Sequence, residues 1–123
     1  MKNSRRIVLG VFCITLAACL VAATPRPQDP TKVAPSNFKV LLENDRVRVL
    51  DFHGKAGEKV PMHSHPAYVS YLISGSGKTT FTSPDGKTTE QEARAGKALW
   101  HEAETHSSES TVAVHALLIE LKK

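Results

Sequence analysis

Beyond residue 19 the chain has no cysteine; its only two, Cys13 and Cys19, lie near the N-terminus. The remainder therefore has no internal disulfide, and a small core without one needs another brace, such as a bound ion or a second subunit. A basic excess is missing as well. The 123 residues carry 16 Lys and Arg against 12 Asp and Glu, a formal charge of +4. Setting aside Lys2, Arg5 and Arg6 at the N-terminus leaves 13 against 12, or +1. That balance offers no positive surface to hold a phosphate backbone, which excludes nucleic-acid binding. There is no internal repeat, and no nucleophile–base pair stands out. The one extended apolar run, Ile7 to Ala23, is interrupted by Gly10 and Thr15 and is short against the roughly 20 residues of a membrane span.

That run follows Lys2, Arg5 and Arg6, and the order of basic start and apolar stretch is that of a bacterial export signal, expected at 1–23. Two cleavage sites fit. Leu16-Ala17-Ala18-Cys19 reads as a lipobox, with Cys19 as the lipidated first residue, and Val21-Ala22-Ala23 reads as a site that releases a soluble protein beginning at Thr24. The expected compartment is the periplasm, with a membrane involved only through the signal or a lipid anchor. Pro25, Pro27, Pro30 and Pro35 then stand among polar residues, so 24–37 is expected to be an extended, mobile Pro-rich linker ahead of a single domain at 38–123.

The domain reads as all-β. Phe38, Val40 and Leu42 alternate with polar residues; Val47 to Phe52 alternates again; Tyr68 to Ile73 is almost wholly apolar, as in a strand buried on both faces. Lys78 to Thr82 is turned back on Thr88 and Thr89 by Pro84-Asp85-Gly86, which predicts a hairpin. Lys97 to His101 and Thr111 to Leu121 complete the series. Glu90 to Ala95 has a pattern compatible with a helix, but Gly96 cuts it short and the surrounding pattern favours a strand. Short strands separated by turn signals indicate a sandwich or barrel.

Histidine is what the domain has in quantity, with six residues. His63 and His65 lie two apart in an extended segment, so their side chains leave the same face and can converge on one ion. The spacing Gly57-x5-His63-Ser64-His65, followed by Tyr71-Leu72-Ile73-Ser74-Gly75-Ser76-Gly77, resembles the first motif of the cupins, and Gly96-Lys97-Ala98-Leu99-Trp100 ending in His106 resembles the second. The segment Leu42 to Val49 is similar to the start of the small single-domain cupins, including those labelled as acting in β-alanine breakdown. The resemblance spans Leu41 to Leu121 and implies a double-stranded β-barrel, or jelly roll, with His63, His65 and His106 on one divalent metal ion (Fe, Mn, Zn or Ni).

Two departures bear on the chemistry. Ser70 stands where the family places a carboxylate ligand, and no acidic residue occurs between His65 and Asp85. Glu102-Ala103-Glu104-Thr105 replaces the family's usual Pro-x-Gly approach to the last histidine. The resemblance thus implies three neutral ligands, which leave an ion its full charge and favour an anionic or chelating partner. His101 and His106 do not form a helical zinc-protease pair, because five residues separate them by about 140° on a helix.

Tyr68, Ser70, Trp100 and His101 are candidate pocket residues. His101 fits either an acid–base role or a solvent-facing strand position. Glu102 and Glu104 fit either a solvated loop or a supporting role at the metal, while His53 and His115 are expected to be packed or exposed without function. The functional expectation is an exported, dimeric small cupin, with oxygenase-type (dioxygenase-like) chemistry on a small anionic or chelating substrate. The alternative is a non-catalytic module that binds a small ligand or metal, the ion serving as a structural staple.

Overall fold

The computed structural model describes residues 28–123. The expected export signal, both cleavage sites with Cys19, and residues 24–27 of the linker lie outside the described residues.

One helical turn, α1 (Pro30–Val33), precedes nine strands: β1 (Phe38–Glu43), β2 (Val47–Gly54), β3 (Lys59–His65), β4 (Tyr68–Ser74), β5 (Gly77–Thr82), β6 (Thr88–Ala93), β7 (Ala98–His101), β8 (Glu104–Ser110) and β9 (Val114–Leu121). They form a five-stranded sheet ordered β1-β2-β9-β4-β7 and a four-stranded sheet ordered β3-β8-β5-β6. Every pairing is antiparallel. The chain changes sheet between β2 and β3 and again between β3 and β4, so the two sheets close as a jelly-roll barrel. Among the described residues no helix is long and apolar enough to cross a membrane.

The two inner faces differ in chemistry. The five-stranded sheet supplies most of the apolar core: Leu50, Tyr68, Leu72, Ala116 and Leu118 are all buried, joined by Phe38. The four-stranded sheet turns His63, His65, His106, Ser108 and Ser110 inward, all of them buried and polar. A barrel with one apolar and one polar wall leaves space that side chains do not fill, and the site forms there. Glycine is required at the end of β4: Gly75 has φ 97°, and a Cβ on it would lie 2.1 Å from the Ala113 carbonyl oxygen, so no side chain fits.

The outer face of the five-stranded sheet carries an apolar row. Strand register places Leu42, Val49, Ile119, Val69 and Trp100 in one row across all five strands. Trp100 is 54% exposed and Leu42 49%.

Two expectations need correction and a third is met. The second half of the expected mobile linker is part of the folded body. Asp29 caps α1 by accepting from Thr31 N at 2.8 Å, Pro30 sits in the first turn and is buried, and the Gln28 carbonyl accepts from Ser64 N at 2.8 Å. An acidic N-cap followed by proline is a helix start, which the count of prolines obscured. Residues 102–105, read as a loop, lead into and begin β8. Residues 90–93 belong to β6, the strand that the surrounding pattern favours over a helix there.

Candidate metal centre

Strand parity builds the site. Alternation along β3 turns His63 and His65 inward, 1% and 4% exposed, and β8 runs antiparallel beside it with His63 opposite His106 and His65 opposite Glu104. Directly opposed residues share a face, so three imidazoles and one carboxylate meet on the polar wall. The His63 ring centroid is 4.8 Å from both His65 and His106. One ligating atom from each of the three histidines lies within 4.8 Å of the others.

The far side of each ring on β3 is tied down. His63 Nδ1 lies 2.6 Å from the Pro61 carbonyl oxygen, an acceptor only, so Nδ1 carries the proton and donates it while the Nε2 lone pair is free. Burial pushes the His63 pKa down to about 4, which keeps the ring neutral near pH 7. His65 Nδ1 is 2.6 Å from Glu120 Oε1. Burial also lowers the His65 pKa, against the pull of Glu120.

Glu120 would itself be raised by burial, but hydrogen bonds from His65 and Arg48 outweigh this and hold it ionised. Arg48 Nε lies 2.6 Å from Glu120 Oε2, and Arg48 Nη1 lies 2.7 Å from Asp29 Oδ2. The chain Asp29–Arg48–Glu120–His65 therefore fixes one ring from the opposite sheet. A metal-ligating histidine is commonly oriented by such a carboxylate.

The near side of the rings tests whether an ion fits. His65 Nε2 and His106 Nδ1 are buried with no hydrogen-bond partner. An unpaired buried polar atom costs about 1–3 kcal/mol. His65 Nε2 has no neighbour to satisfy it, and His106 Nδ1 has only Glu104 Oε1 at 3.4 Å, outside hydrogen-bond geometry, so a cation fits as the missing partner. The donor set of three imidazoles suits divalent iron, nickel or zinc, with manganese better served by added oxygen ligands.

Glu104 adds a charge beside this set. Its Oε1 accepts from Tyr68 OH at 2.7 Å and lies 3.4 Å from His106 Nδ1 and 3.6 Å from His101 Nδ1. Burial would raise its pKa, but the neighbouring His101, His106 and Tyr68 hold the carboxyl well below the usual range. Burial and Glu104 together push the Tyr68 phenol well above its ordinary value, so it stays protonated and donates. His101 stacks on Tyr68, with centroids 4.3 Å apart and planes at 4°, and its Nε2 is 2.9 Å from Ser70 Oγ.

The three histidines, Tyr68, Ser70 and His101 line a cavity of about 100 Å³ whose wall also includes Phe38, Leu72, Phe81, Arg94 and Lys97. The structure thus brings together His63, His65 and His106 and places Tyr68, Ser70 and His101 in the cavity wall. Trp100 is not in it. Tyr68 pairs with His101 and Val69 with Trp100, so Trp100 points to the outer face, where its Nε1 donates to Glu102 Oε1 at 2.7 Å. His101 is correspondingly not a solvent-facing residue. The two acidic candidates part company, Glu104 in the site and Glu102 outside it. Glu120, Arg48 and Asp29 were missed, although a charge at the parity of Ala116 and Leu118 in an apolar strand was a readable signal.

Comparison with solved structures shows what the fold is similar to. A cupin domain from Bordetella pertussis Tohama I superposes with a TM-score of 0.62 at 21% identity, covering 81% of this chain and 99% of that one. The chain has a cupin-like fold. A cupin superfamily protein from Desulfitobacterium hafniense DCB-2 is similar at TM-score 0.52 and 19% identity, covering 70% and 76% of the two chains. The DMSP lyase DddQ from Ruegeria pomeroyi DSS-3 is similar at TM-score 0.52 and 15% identity, covering 73% of this chain and 49% of the lyase. No sequence-family profile and no curated protein matches the chain.

Proposed function

We propose that this chain is an exported cupin metalloprotein in which His63, His65 and His106 hold one divalent ion, with a small anionic or chelating molecule bound beside it for oxygenase-type chemistry. The observation that carries the reading is the convergence of three buried histidines, one ligating atom of each within 4.8 Å of the others, with the buried His65 Nε2 lacking any other partner. When bound, the ion supplies Lewis acidity and open coordination positions.

The chain's own residues define what enters. The small cavity excludes large ligands, and Arg94 and Lys97 in its wall favour negative charge. Phe38, Leu72 and Phe81 keep the rest of the wall apolar, which limits water and strengthens the polar contacts. Glu104 holds the Tyr68 hydroxyl hydrogen, and His101, clamped between Tyr68 and Ser70, is the imidazole placed to exchange a proton with a bound molecule. Fold alone does not select the reaction.

The reading is tested on protein recovered from its native compartment. Metal analysis is expected to find an ion whose content falls in each of His63→Ala, His65→Ala and His106→Ala, and unchanged content in all three would refute the assignment. Export rests on the basic start and apolar run at 1–23 with Cys19 in the lipobox. An acylated N-terminus at Cys19 in intact-mass data supports the anchored form, an unmodified start at Thr24 the soluble one, and an uncleaved Met1 neither. Two copies are proposed to pair through the apolar row on the outer face of the five-stranded sheet, a self-complementary surface suited to an isologous dimer.

A further inference from the structure

We infer that Asp51, His53 and His115 form a second, independent site for a borderline divalent cation of the zinc, copper or nickel class, on the outer face of the five-stranded sheet. In β2 the inward positions are Leu50 and Phe52, so Asp51 and His53 share the outward face. In β9 the buried positions are Ala116, Leu118 and Glu120, so His115 is outward too. The register sets His53 directly opposite His115. Their rings stack with centroids 4.0 Å apart and planes at 19°, which brings both Nε2 atoms to the same side, over Asp51.

The carboxylate completes the set. Asp51 Oδ1 is 2.7 Å from His115 Nε2, and Asp51 Oδ2 is 3.1 Å from His53 Nε2. One ligating atom from each of the three residues lies within 4.8 Å of the others. Bonds of about 2.0–2.2 Å to an ion place neighbouring ligand atoms about 3.0–3.4 Å apart. The observed nitrogen–oxygen separations are close to that, so small rotations about side-chain bonds suffice to admit an ion in place of the ring protons. Those rotations are free to occur, since the His53 side chain is 58% exposed and that of His115 32%.

The surroundings are open on one side. The cluster borders a surface groove lined by Ser36, Lys55, Glu58 and Ser74, which gives water access to the remaining coordination positions. Two imidazoles and one carboxylate select borderline ions over magnesium or calcium, which take oxygen ligands. The site does not depend on the inner one: His53 and His115 point away from the barrel, and no residue is shared between the two clusters.

The test uses the full chain without a histidine tag, with Cys13→Ala and Cys19→Ala so that no thiol competes. Metal is stripped with a chelator and Zn²⁺ is titrated back against a chromophoric competitor, with excess Mg²⁺ present. The wild-type background is expected to take up two equivalents, and His53→Ala and His115→Ala one each. His106→Ala is expected to keep the outer equivalent, and Asp51→Asn to bind it more weakly while leaving the inner one unchanged. Cu²⁺ added to His106→Ala is expected to show nitrogen hyperfine structure in its electron paramagnetic resonance spectrum, lost in His53→Ala/His106→Ala.

Failure of the inner-site reading is distinguishable, because the outer equivalent would then be the only one and would still vanish with His53. Uptake that is the same in His53→Ala and His115→Ala as in the wild-type background would overturn the proposal. So would an Asp51→Asn variant of undiminished affinity, since the two rings would then bind metal only as adventitious exposed histidines.

Discussion

Glu120 Oε1 lies 2.6 Å from His65 Nδ1 across the barrel, and the side chains of the two residues are 2% and 1% exposed. The pair joins the two sheets: His65 comes from the four-stranded one and Glu120 from the five-stranded one. Its geometry fixes the His65 tautomer, with the proton on Nδ1 and the lone pair on the buried Nε2.

Glu120→Gln is expected to weaken metal binding about 10–100-fold, as does loss of other carboxylates that orient a ligating histidine. Glu120→Ala also leaves the Arg48 guanidinium without its closest partner, at a cost of about 3–5 kcal/mol in stability. Chelator competition and urea unfolding of the metal-free protein measure the two effects. Undiminished metal affinity in Glu120→Gln would show that the carboxylate only braces Arg48.

The metal-free protein is expected to lose stability in acid through His63. Its folded pKa is about 4 against an ordinary 6.5, so between those values the unfolded chain binds more protons than the folded one. The contribution is fully present above pH 6.5 and is lost as pH falls toward 4, by about 3 kcal/mol for this ring. His65, shifted in the same direction, steepens the loss. Urea unfolding at pH 7 and pH 4.5 measures it, and His63→Asn, which cannot take up that proton, is expected to show the shallower pH dependence. Equal slopes in the two proteins would mean that His63 is not the buried neutral base described here.

Much of this was legible in the residues, and the parts that were not have specific causes. β4 and the Pro84-Asp85-Gly86 hairpin were readable as elements from apolar density and turn chemistry, but β4 is not buried on both faces as expected: Tyr71 and Ile73 are each 41% exposed on its outer side. His63 and His65 were readable as a same-face pair from parity alone. β8 was not, because its inward residues are His106, Ser108 and Ser110: a strand that faces a polar cavity carries no hydrophobic period to detect. Trp100 and His101 were both read as pocket residues, which strand geometry forbids, since neighbours in a strand face opposite ways. Only the pairing of β4 with β7 shows which one turns inward.

The apolar row on the outer sheet face predicts self-association that a charge should abolish. Trp100→Glu places a carboxylate at the edge of that row, where the parent side chain is already 54% exposed, so the monomer fold should tolerate it within about 0.5 kcal/mol. Sedimentation is expected to give a dimer for the parent and a monomer for the variant, with metal content unchanged. The same mass for both would dismiss this face as the interface.

Ser70 separates a metal that meets substrate from one that only braces the barrel. Its Oγ is bonded to His101 Nε2 at 2.9 Å, and it lines the cavity. Ser70→Glu introduces an anionic group beside the three histidines. It is expected to raise metal affinity while occupying a coordination position and lowering the ion's effective charge. If the open positions serve a small anion, the parent with cobalt or iron in the site should change its absorbance on titration with azide, and the variant should not. A parent protein that binds metal yet shows no response to azide or small carboxylates would remove the support for chemistry at the ion. In that case Ser70→Glu should raise only the melting temperature, as expected of an extra ligand on a structural metal.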